Sequence, residues 1–314
     1  MFRCASLLPY LLRSVRAPNA TAAMSARGAP SALLSTEAMH AADEGADGFE
    51  GPYAASRARL DYSWHGRYTP ARQRMQDGLI AGVLSSGRAT PQPWLVHTAG
   101  AMGAGKSHVI RELARARAFP LAAFVWIDPD VFKSSLPETP DFIRADPERA
   151  SSLLHKESVH IAEIAEREAL ARGLNVLVDG SLQNTPWYAQ KFAAMRGEYP
   201  TYRLAIIHVT ASRETIFSRA AGRATKTGRF IPVALLDDVL ARVPASVAAL
   251  SPLVDYTVEV ANEADGTGPT IRAPATPDSF KAVWADIWNE LYDERDELGG
   301  DPIDPTEALA RNPG

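Results

Sequence analysis

The stretch WLVHTAGAMGAGKSHVI, residues 94–110, decides the fold of this chain. Residues 100–107 read G-x-x-x-x-G-K-S, which is the phosphate-binding P-loop motif. The apolar residues 94–99 before the motif predict a buried parallel strand, and the apolar spacing after it predicts an amphipathic helix. Strand, glycine-rich loop and helix in this order are the context that phosphate binding requires. The pattern therefore favours a nucleotide site over a glycine-rich turn that matches by chance.

The residue types in the loop explain how it would bind phosphate. Its glycines can adopt positive φ angles, which turns successive backbone N–H groups inward to form an anion nest. Lys106 adds a full charge at the positive end of the following helix, and the Ser107 hydroxyl can ligate Mg²⁺. The predicted nucleotide-binding residues are Gly100, Ala101, Met102, Gly103, Ala104, Gly105, Lys106, Ser107 and His108.

Acidic residues follow two more predicted strands. Asp128 ends the apolar run 124–127 and is followed by Asp130, and Asp179 ends the run 174–178. Ligands of an open parallel sheet bind beyond the carboxyl ends of its strands, so we expect these carboxylates at the substrate, with Asp179 also helping to hold Mg²⁺. One of the first two aspartates can instead cap the next helix. We predict Asp130 as the catalytic carboxylate and Asp128 as the second candidate.

Two further apolar runs, residues 204–209 and 256–260, complete the predicted architecture. It is an α/β fold with a mostly parallel sheet of about five strands and helices on both faces. The helical stretch 214–227 is basic and is followed by Arg229. It is either a solvated face or a lid that brings guanidinium groups to a transferring phosphoryl. His65, in an aromatic-rich stretch, is predicted to be a structural histidine.

Composition limits the class of protein. The chain has 314 residues, 46% of them hydrophobic and 22% charged, which is enough for one large α/β domain with appendages. It has no uninterrupted apolar run of 18 residues, so we expect no transmembrane helix. The net charge is -4 without a broad basic excess, which disfavours nucleic-acid binding.

The first 36 residues differ from the rest. They contain four arginines, five serines and no acidic residue, which is the composition of an organellar transit peptide. We therefore expect a mitochondrial location or another organelle matrix, and a cytoplasmic location otherwise. A secretory signal, which Pro9 and Arg13 would interrupt, and a disordered tail are the alternatives. The only cysteine, Cys4, lies here, so a processed protein would have no thiol chemistry.

The domain boundaries follow from changes in composition. We predict a transit-like or disordered segment 1–36, a linker 37–52, a catalytic domain 53–262 with a helical lead-in, a linker 263–277, a C-terminal amphipathic helix 278–296 and a disordered tail 297–314. Apolar residues in the C-terminal helix recur at intervals of three and four. We expect this stripe to pack on the core rather than on a partner. Its members are Phe280, Val283, Trp284, Ile287, Trp288 and Leu291.

Together these motifs resemble the zeta-toxin family of P-loop kinases. The resemblance rests on the P-loop, on IDPDVFK at residues 127–133, on VLVDGS at residues 176–181, and on Arg219 with TGRFIP at residues 227–232. It covers about residues 60–262 in this order and spacing. The P-loop is generic, whereas D-x-D-x-F-K combined with G-R-x-x-P is more specific.

The resemblance implies a P-loop kinase fold and transfer of phosphate from ATP, with Mg²⁺, to a hydroxyl group. In bacterial members that hydroxyl belongs to UDP-N-acetylglucosamine. By position, Asp130 matches the catalytic aspartate, and Arg219 and Arg229 match two arginines that neutralise the transferring phosphate. Glu163 falls where a helix carboxylate contacts the sugar nucleotide. Asp179 falls where the family often has Glu, a side chain one methylene longer, which leaves the acceptor open.

The sequence therefore predicts an ATP- and Mg²⁺-dependent kinase for a small-molecule hydroxyl acceptor. The transit-like opening departs from the bacterial toxins, which an antitoxin binds, and indicates a eukaryotic protein with an organellar role. An antitoxin-like partner is not indicated, the net charge disfavours a nucleic-acid partner, and we expect no membrane partner. A nucleotide-switched binding module and a nucleic-acid 5′-hydroxyl kinase are the alternatives. The predicted site comprises catalytic Asp130, Lys106, Arg219 and Arg229, substrate-binding Asp128, Glu163 and Asp179, and the metal ligands Ser107 and Asp179.

Overall fold

The computed structural model describes residues 33–43, 48–227, 232–263 and 266–293. The strands in these ranges are β1 (Trp94–Ala99), β2 (Phe124–Ile127), β3 (Asn175–Val178), β4 (Arg203–Thr210), β5 (Tyr256–Ala261) and β6 (Thr270–Ile271). The α-helices are α1 (Thr36–Met39), α2 (Ala54–Arg57), α3 (Pro70–Leu84), α4 (Lys106–Arg115), α5 (Pro129–Ser135), α6 (Thr139–Ala145), α7 (Pro147–Leu153), α8 (His155–Ala171), α9 (Thr185–Glu198), α10 (Arg213–Thr227), α11 (Val233–Leu250), α12 (Pro277–Val283) and α13 (Ala285–Asp293).

The strands form one sheet in the order β2-β3-β1-β4-β5-β6. β1 to β5 pair in parallel and β6 pairs antiparallel with β5, which confirms the predicted mostly parallel α/β fold. The sheet of the described residues has six strands, whereas the sequence predicts about five. The strand that was not predicted is β6, which has only two residues. So short a strand produces no periodic pattern, and it lies in the segment 263–277 that the sequence predicts as a linker.

The centre of the sheet explains why its strands read as continuous apolar runs. Every residue of β1, β2 and β3 is buried, because helices cover both faces of the sheet. β1 lies between β3 and β4, so the chain crosses to opposite sides of the sheet around the strand that carries the P-loop. In open α/β sheets this is the switch point where ligands bind.

Residues 33–43 are packed against the domain. Ser35 caps α1, the Thr36 side chain is buried, and His40 Nε2 lies 2.6 Å from Glu138 Oε1. Ala41 forms an isolated bridge with Tyr68, and Lys156 pairs with Glu37. These contacts fall in segments that the sequence predicts as transit-like and linker, where composition alone carries no information about packing.

The C-terminal region forms two helices instead of the single predicted helix 278–296. α12 ends at Val283, Trp284 follows it, and α13 begins at Ala285. Phe280, Trp284 and Ile287 are buried in the core, as the apolar stripe predicts. The Trp284 ring contacts the rings of Trp94, Phe119 and Phe124. The predicted tail 297–314, most of segment 1–36 and Arg229 lie outside the described ranges.

In the part of the chain that the structure describes, no helix combines the length and the apolar character needed to cross a lipid bilayer.

Candidate functional site

The P-loop connects β1 to α4 and depends on its glycines. Gly105 has φ +85° and takes the N-cap position of α4, where no side chain caps the helix. The first N–H groups of α4 therefore remain for a ligand, at the positive end of the helix dipole. A Cβ on Gly105 would overlap Asn262 Nδ2, so both the backbone conformation and the space require glycine here.

Lys106 lies at the start of α4 with its ammonium group on the loop. Its Nζ is 3.1 Å from Gly100 O and 3.4 Å from Ala101 O. The charge is thus held over the concave side of the nest, where the β- and γ-phosphates of a nucleotide bind in P-loops.

Two hydroxyl groups hold the Asp179 carboxylate beside the P-loop. Ser107 Oγ donates to Asp179 Oδ2 at 2.8 Å, and Thr98 Oγ1 donates to Asp179 Oδ1 at 2.7 Å. Gly180 N in turn donates to Thr98 Oγ1 at 3.1 Å. The parallel register pairs His97 with Val178, which brings Thr98 next to Asp179.

Hydroxyl and carboxylate oxygens next to a phosphate-binding loop fit Mg²⁺, which prefers oxygen ligands. Among the residues with a described placement, no group of three or more His, Cys, Asp or Glu side chains could hold a metal ion. Mg²⁺ at Ser107 and Asp179 would therefore complete its shell with nucleotide and water oxygens, as it does in many kinases.

The two aspartates after β2 have different roles. Asp128 is the N-cap of α5, and its Oδ1 accepts a hydrogen bond from Asp130 N at 2.8 Å. Burial, reinforced by the neighbouring Asp179 and Asp130 carboxylates, raises the pKa of Asp128 to about 7. Asp130 lies in the first turn of α5 and is more exposed; its Oδ1 is 3.1 Å from Lys133 Nζ. Asp128 thus caps the helix while both aspartates line the same cleft.

A cleft of about 1740 Å³ brings most of the predicted residues together at the carboxyl ends of the strands. The predicted residues that line it are Met102, Gly103, Gly105, Lys106, Ser107, His108, Asp128, Asp130, Asp179 and Arg219. Gly100, Ala101 and Ala104 belong to the loop and are buried. This volume exceeds the 300–1,000 Å³ that small-molecule sites usually have, so the cleft can hold a nucleotide and a second substrate.

The remaining predicted side chains, together with the contacts of Arg219, are described one by one. Glu163 lies on α8 one turn beyond Val159, outside the cleft lining, and its Oε2 contacts His65 Nε2 at 3.0 Å. Arg219 lines the cleft, but its guanidinium donates to backbone carbonyls. Arg229 falls in a part of the chain that is not described. His65 is buried against the rings of Trp64 and His160, in the structural position that the sequence predicts.

Several residues of the site have no sequence signal that singles them out. Thr98 holds Asp179, and Asn262 Nδ2 donates to Ala104 O at 2.7 Å from the end of β5. His155 lines the cleft beside Asp130 and beside Lys133, the last residue of the D-x-D-x-F-K motif. Burial, together with the Lys133 charge, lowers the pKa of His155 to about 4, so this imidazole is neutral at pH 7. Their roles depend on strand register and helix packing, which the sequence does not show.

The fold and the site define a P-loop kinase-like protein. The family model described as zeta toxin matches residues 82–267, which is more than half of the chain. The chain therefore belongs to the zeta-toxin family, as its motifs predict. No curated protein sequence matches this chain.

Solved structures are similar in fold. A chain from the PezAT chromosomal toxin–antitoxin system of Streptococcus pneumoniae is 14% identical, with a TM-score of 0.53; the match covers 78% of this chain and 97% of that chain. The AvrRxo1-ORF1:AvrRxo1-ORF2 structure with sulphate ions is 18% identical, with a TM-score of 0.55, and the match covers 89% of this chain and 95% of that chain. The AvrRxo1-ORF1:-ORF2 structure with ATP is 16% identical, with a TM-score of 0.54 over the same shares.

Proposed function

We propose that this protein is an ATP-dependent phosphotransferase that moves the γ-phosphoryl group of ATP to a hydroxyl group of a small-molecule acceptor. The observation that carries the proposal is the shared cleft, in which Lys106 and Ser107 on one side face the Asp130 carboxylate on the other. Phosphoryl transfer needs a phosphate cradle and an acceptor-side carboxylate within one water-restricted space. Membership of the zeta-toxin family and the fold shared with a complex determined with ATP support the same reaction.

Each side chain has a defined part in this reaction. The P-loop N–H groups and Lys106 bind and orient the β- and γ-phosphates, and Ser107 and Asp179 are the residues that would hold Mg²⁺. When bound, Mg²⁺ neutralises charge on the β- and γ-oxygens. Asp130 orients the acceptor hydroxyl and accepts its proton, while Asp128 fixes the start of α5 by capping it. Neutral His155 and the apolar Val159 and Met75 restrict water on the acceptor side.

The proposal also covers the chemical class of the acceptor, a protein partner and the cellular location. The family resemblance favours a sugar nucleotide such as UDP-N-acetylglucosamine, and the cleft volume leaves room for a molecule of that size beside ATP. One structural neighbour comes from a toxin–antitoxin system, and a pull-down with the purified chain tests for an antitoxin-like partner. Organellar import rests on segment 1–36 alone; a reporter fused to this segment that stays outside the organelles would reject it.

Transfer of labelled phosphate from ATP in the presence of Mg²⁺ tests the function. The acceptor panel contains UDP-N-acetylglucosamine, free sugars, nucleosides and a 5′-hydroxyl oligonucleotide. We expect label on one acceptor class, and a loss of about 100-fold or more in Asp130→Ala with ATP binding retained. Asp141→Ala is the matched control, because Asp141 is exposed on α6 away from the cleft and pairs only with Arg144 among the ion pairs of the described chain.

The outcomes separate the candidate functions. Label on UDP-N-acetylglucosamine supports the sugar-nucleotide substrate, and label on another small molecule keeps the reaction and changes the acceptor. Label on the oligonucleotide identifies a nucleic-acid kinase. ATP binding without any labelled acceptor contradicts the proposal and favours a nucleotide-switched binding module. Normal turnover in Asp130→Ala contradicts the role of this carboxylate.

A further inference from the structure

Two arginines on α10 face the cleft one helical turn apart. Arg219 and Arg223 are at positions i and i+4 of the helix, and both line the cleft. A lid that stabilises a transferring phosphoryl needs a guanidinium group at the reacting atoms, and the two side chains differ in what they contact.

Arg219 contacts backbone carbonyl groups of the P-loop and of the residues that follow β5. Its Nη1 donates to Asn262 O at 2.8 Å and to Ala104 O at 3.4 Å, and its Nη2 donates to Glu263 O at 3.1 Å. Asn262 Nδ2 donates to the same Ala104 carbonyl. Arg219 and Asn262 therefore tie the P-loop to the residues that follow β5, and both terminal nitrogens of Arg219 are directed to backbone oxygens.

Arg223 reaches the acceptor side of the cleft. Its Nη2 lies 4.0 Å from Asp130 Oδ2, and half of the side chain is exposed. Lys133 Nζ occupies the other carboxylate oxygen, Oδ1, at 3.1 Å. Arg223 is on α10 and Asp130 is on α5, so this pair joins two helices that line the cleft. It lies between the P-loop and the proposed position of the acceptor.

This position is where charge develops during phosphoryl transfer. The phosphoryl group travels from the β-phosphate oxygen, which the P-loop holds, to an acceptor oxygen, which Asp130 would orient. A cation 4.0 Å from the Asp130 carboxylate is within reach of the equatorial oxygens of that group. A guanidinium suits them because it presents several N–H donors in one plane.

We propose that Arg223 is a catalytic residue that contacts the transferring phosphoryl group, and that Arg219 is a positioning residue for the P-loop. This inference rests on the proposed phosphotransfer. As the acceptor oxygen bonds to the γ-phosphorus, the bond from that phosphorus to the β–γ bridging oxygen breaks, and the acceptor proton passes to Asp130. Arg223 leaves the Asp130 carboxylate for the phosphoryl oxygens, which frees that carboxylate to take the proton.

Substitution of the two arginines tests the assignment. We expect Arg223→Ala to lower kcat by about 100-fold or more with KM for ATP changed less than about threefold, and Arg223→Lys to recover part of the loss. Arg219→Ala should instead weaken ATP binding and lower the Tm. Arg242→Ala is the control, because this exposed arginine pairs with Asp238 on α11 and does not line the cleft. Wild-type kcat in Arg223→Ala, or a loss confined to kcat in Arg219→Ala, overturns the assignment.

A binding measurement separates this inference from the proposed function. ADP with Mg²⁺ and aluminium fluoride imitates the planar phosphoryl group without an acceptor turning over. We expect the wild-type chain to bind this mixture more tightly than ADP alone, and Arg223→Ala to lose about tenfold or more of that gain. If no acceptor is labelled but the gain depends on Arg223, the proposed transfer to an acceptor fails, while the contact of Arg223 with the phosphoryl position stands. An equal gain in both proteins rejects the assignment.

Discussion

Asp128 and Asp130 are two residues apart and have the same side chain, yet their environments give them different chemistry. Asp128 caps α5 through Asp130 N, and it lies close to the Asp179 carboxylate. Asp130 is more exposed and has the Lys133 ammonium on one oxygen and Arg223 near the other. The Asp128 carboxyl group is held by the helix cap, whereas the Asp130 carboxylate is paired with cations on the wall of the cleft. The environment therefore favours Asp130 for catalysis.

The raised pKa of Asp128 predicts a pH dependence of stability. The unfolded side chain loses its proton near pH 3.8, but in the fold the pKa is about 7 because of burial and the carboxylates of Asp179 and Asp130. The folded chain therefore holds a proton that the unfolded chain has released, and the free energy of unfolding falls as pH rises from about 4 to 7. Above pH 7 this contribution stays constant.

Asp128→Asn should remove this contribution to the slope, because the amide oxygen can still accept from Asp130 N while no charge forms. Urea unfolding at pH 4.5 and pH 8, without Mg²⁺ or nucleotide, measures the effect. We expect the variant to gain stability relative to the wild type as pH rises between these values. A difference between the two proteins that is the same at both pH values would contradict the assignment of the raised pKa.

At the scale of elements, the P-loop works because β1, α4 and β5 hold it from three sides. β1 leads into the loop, α4 begins within it, and Asn262 after β5 holds the Ala104 carbonyl. The side chain of Asn262 is buried against the position where Gly105 would carry a Cβ. These contacts within the chain hold the shape of the loop, which lowers the entropic cost of ordering it around phosphate.

Gly105→Ala should disrupt this arrangement. Alanine at φ +85° is strained, and its Cβ would overlap Asn262 Nδ2, so the loop must shift away from the N–H positions that bind phosphate. We expect a loss of about 1–3 kcal/mol in the free energy of unfolding and at least tenfold weaker ATP binding by calorimetry. Gly197→Ala is the matched control, because a Cβ at this α9 position meets no atom within 4 Å. Equal ATP affinity in the two variants would show that the loop tolerates the side chain.

The elements also show why some of the site is predictable from sequence. The P-loop depends on local spacing, and the buried strands on apolar runs, so residues such as Lys106 and Asp130 can be placed at one edge of the sheet. The Thr98–Asp179 contact depends on the register between β1 and β3. The difference between Arg219 and Arg223 depends on the tertiary contacts of α10, which reach Asn262 from one residue and Asp130 from the other. Neither the strand register nor the placement of α10 can be predicted from a local sequence pattern.

At the scale of the whole molecule, the C-terminal helices complete the core at the end of the strands opposite the P-loop. Trp284 is fully buried, and its ring contacts Trp94 at the start of β1, while the P-loop follows the end of that strand. The apolar stripe of residues 280–291 correctly predicts packing on the core. It does not predict the break between α12 and α13, because one continuous helix and two short helices have the same apolar spacing. The P-loop and the C-terminal part of the core therefore lie at opposite ends of β1.

Trp284→Ala tests whether these helices belong to the folded unit. Removing the ring leaves a cavity among Trp94, Phe119 and Phe124, so we expect the free energy of unfolding to fall by about 3–5 kcal/mol in urea titrations. ATP affinity below the unfolding transition should stay close to that of the wild type, because the P-loop lies at the other end of β1. Trp187→Ala is the control, since Trp187 is 37% exposed on α9 and its loss should cost much less. If both variants unfold at the same urea concentration, α12 and α13 are an appendage and the core ends at β6.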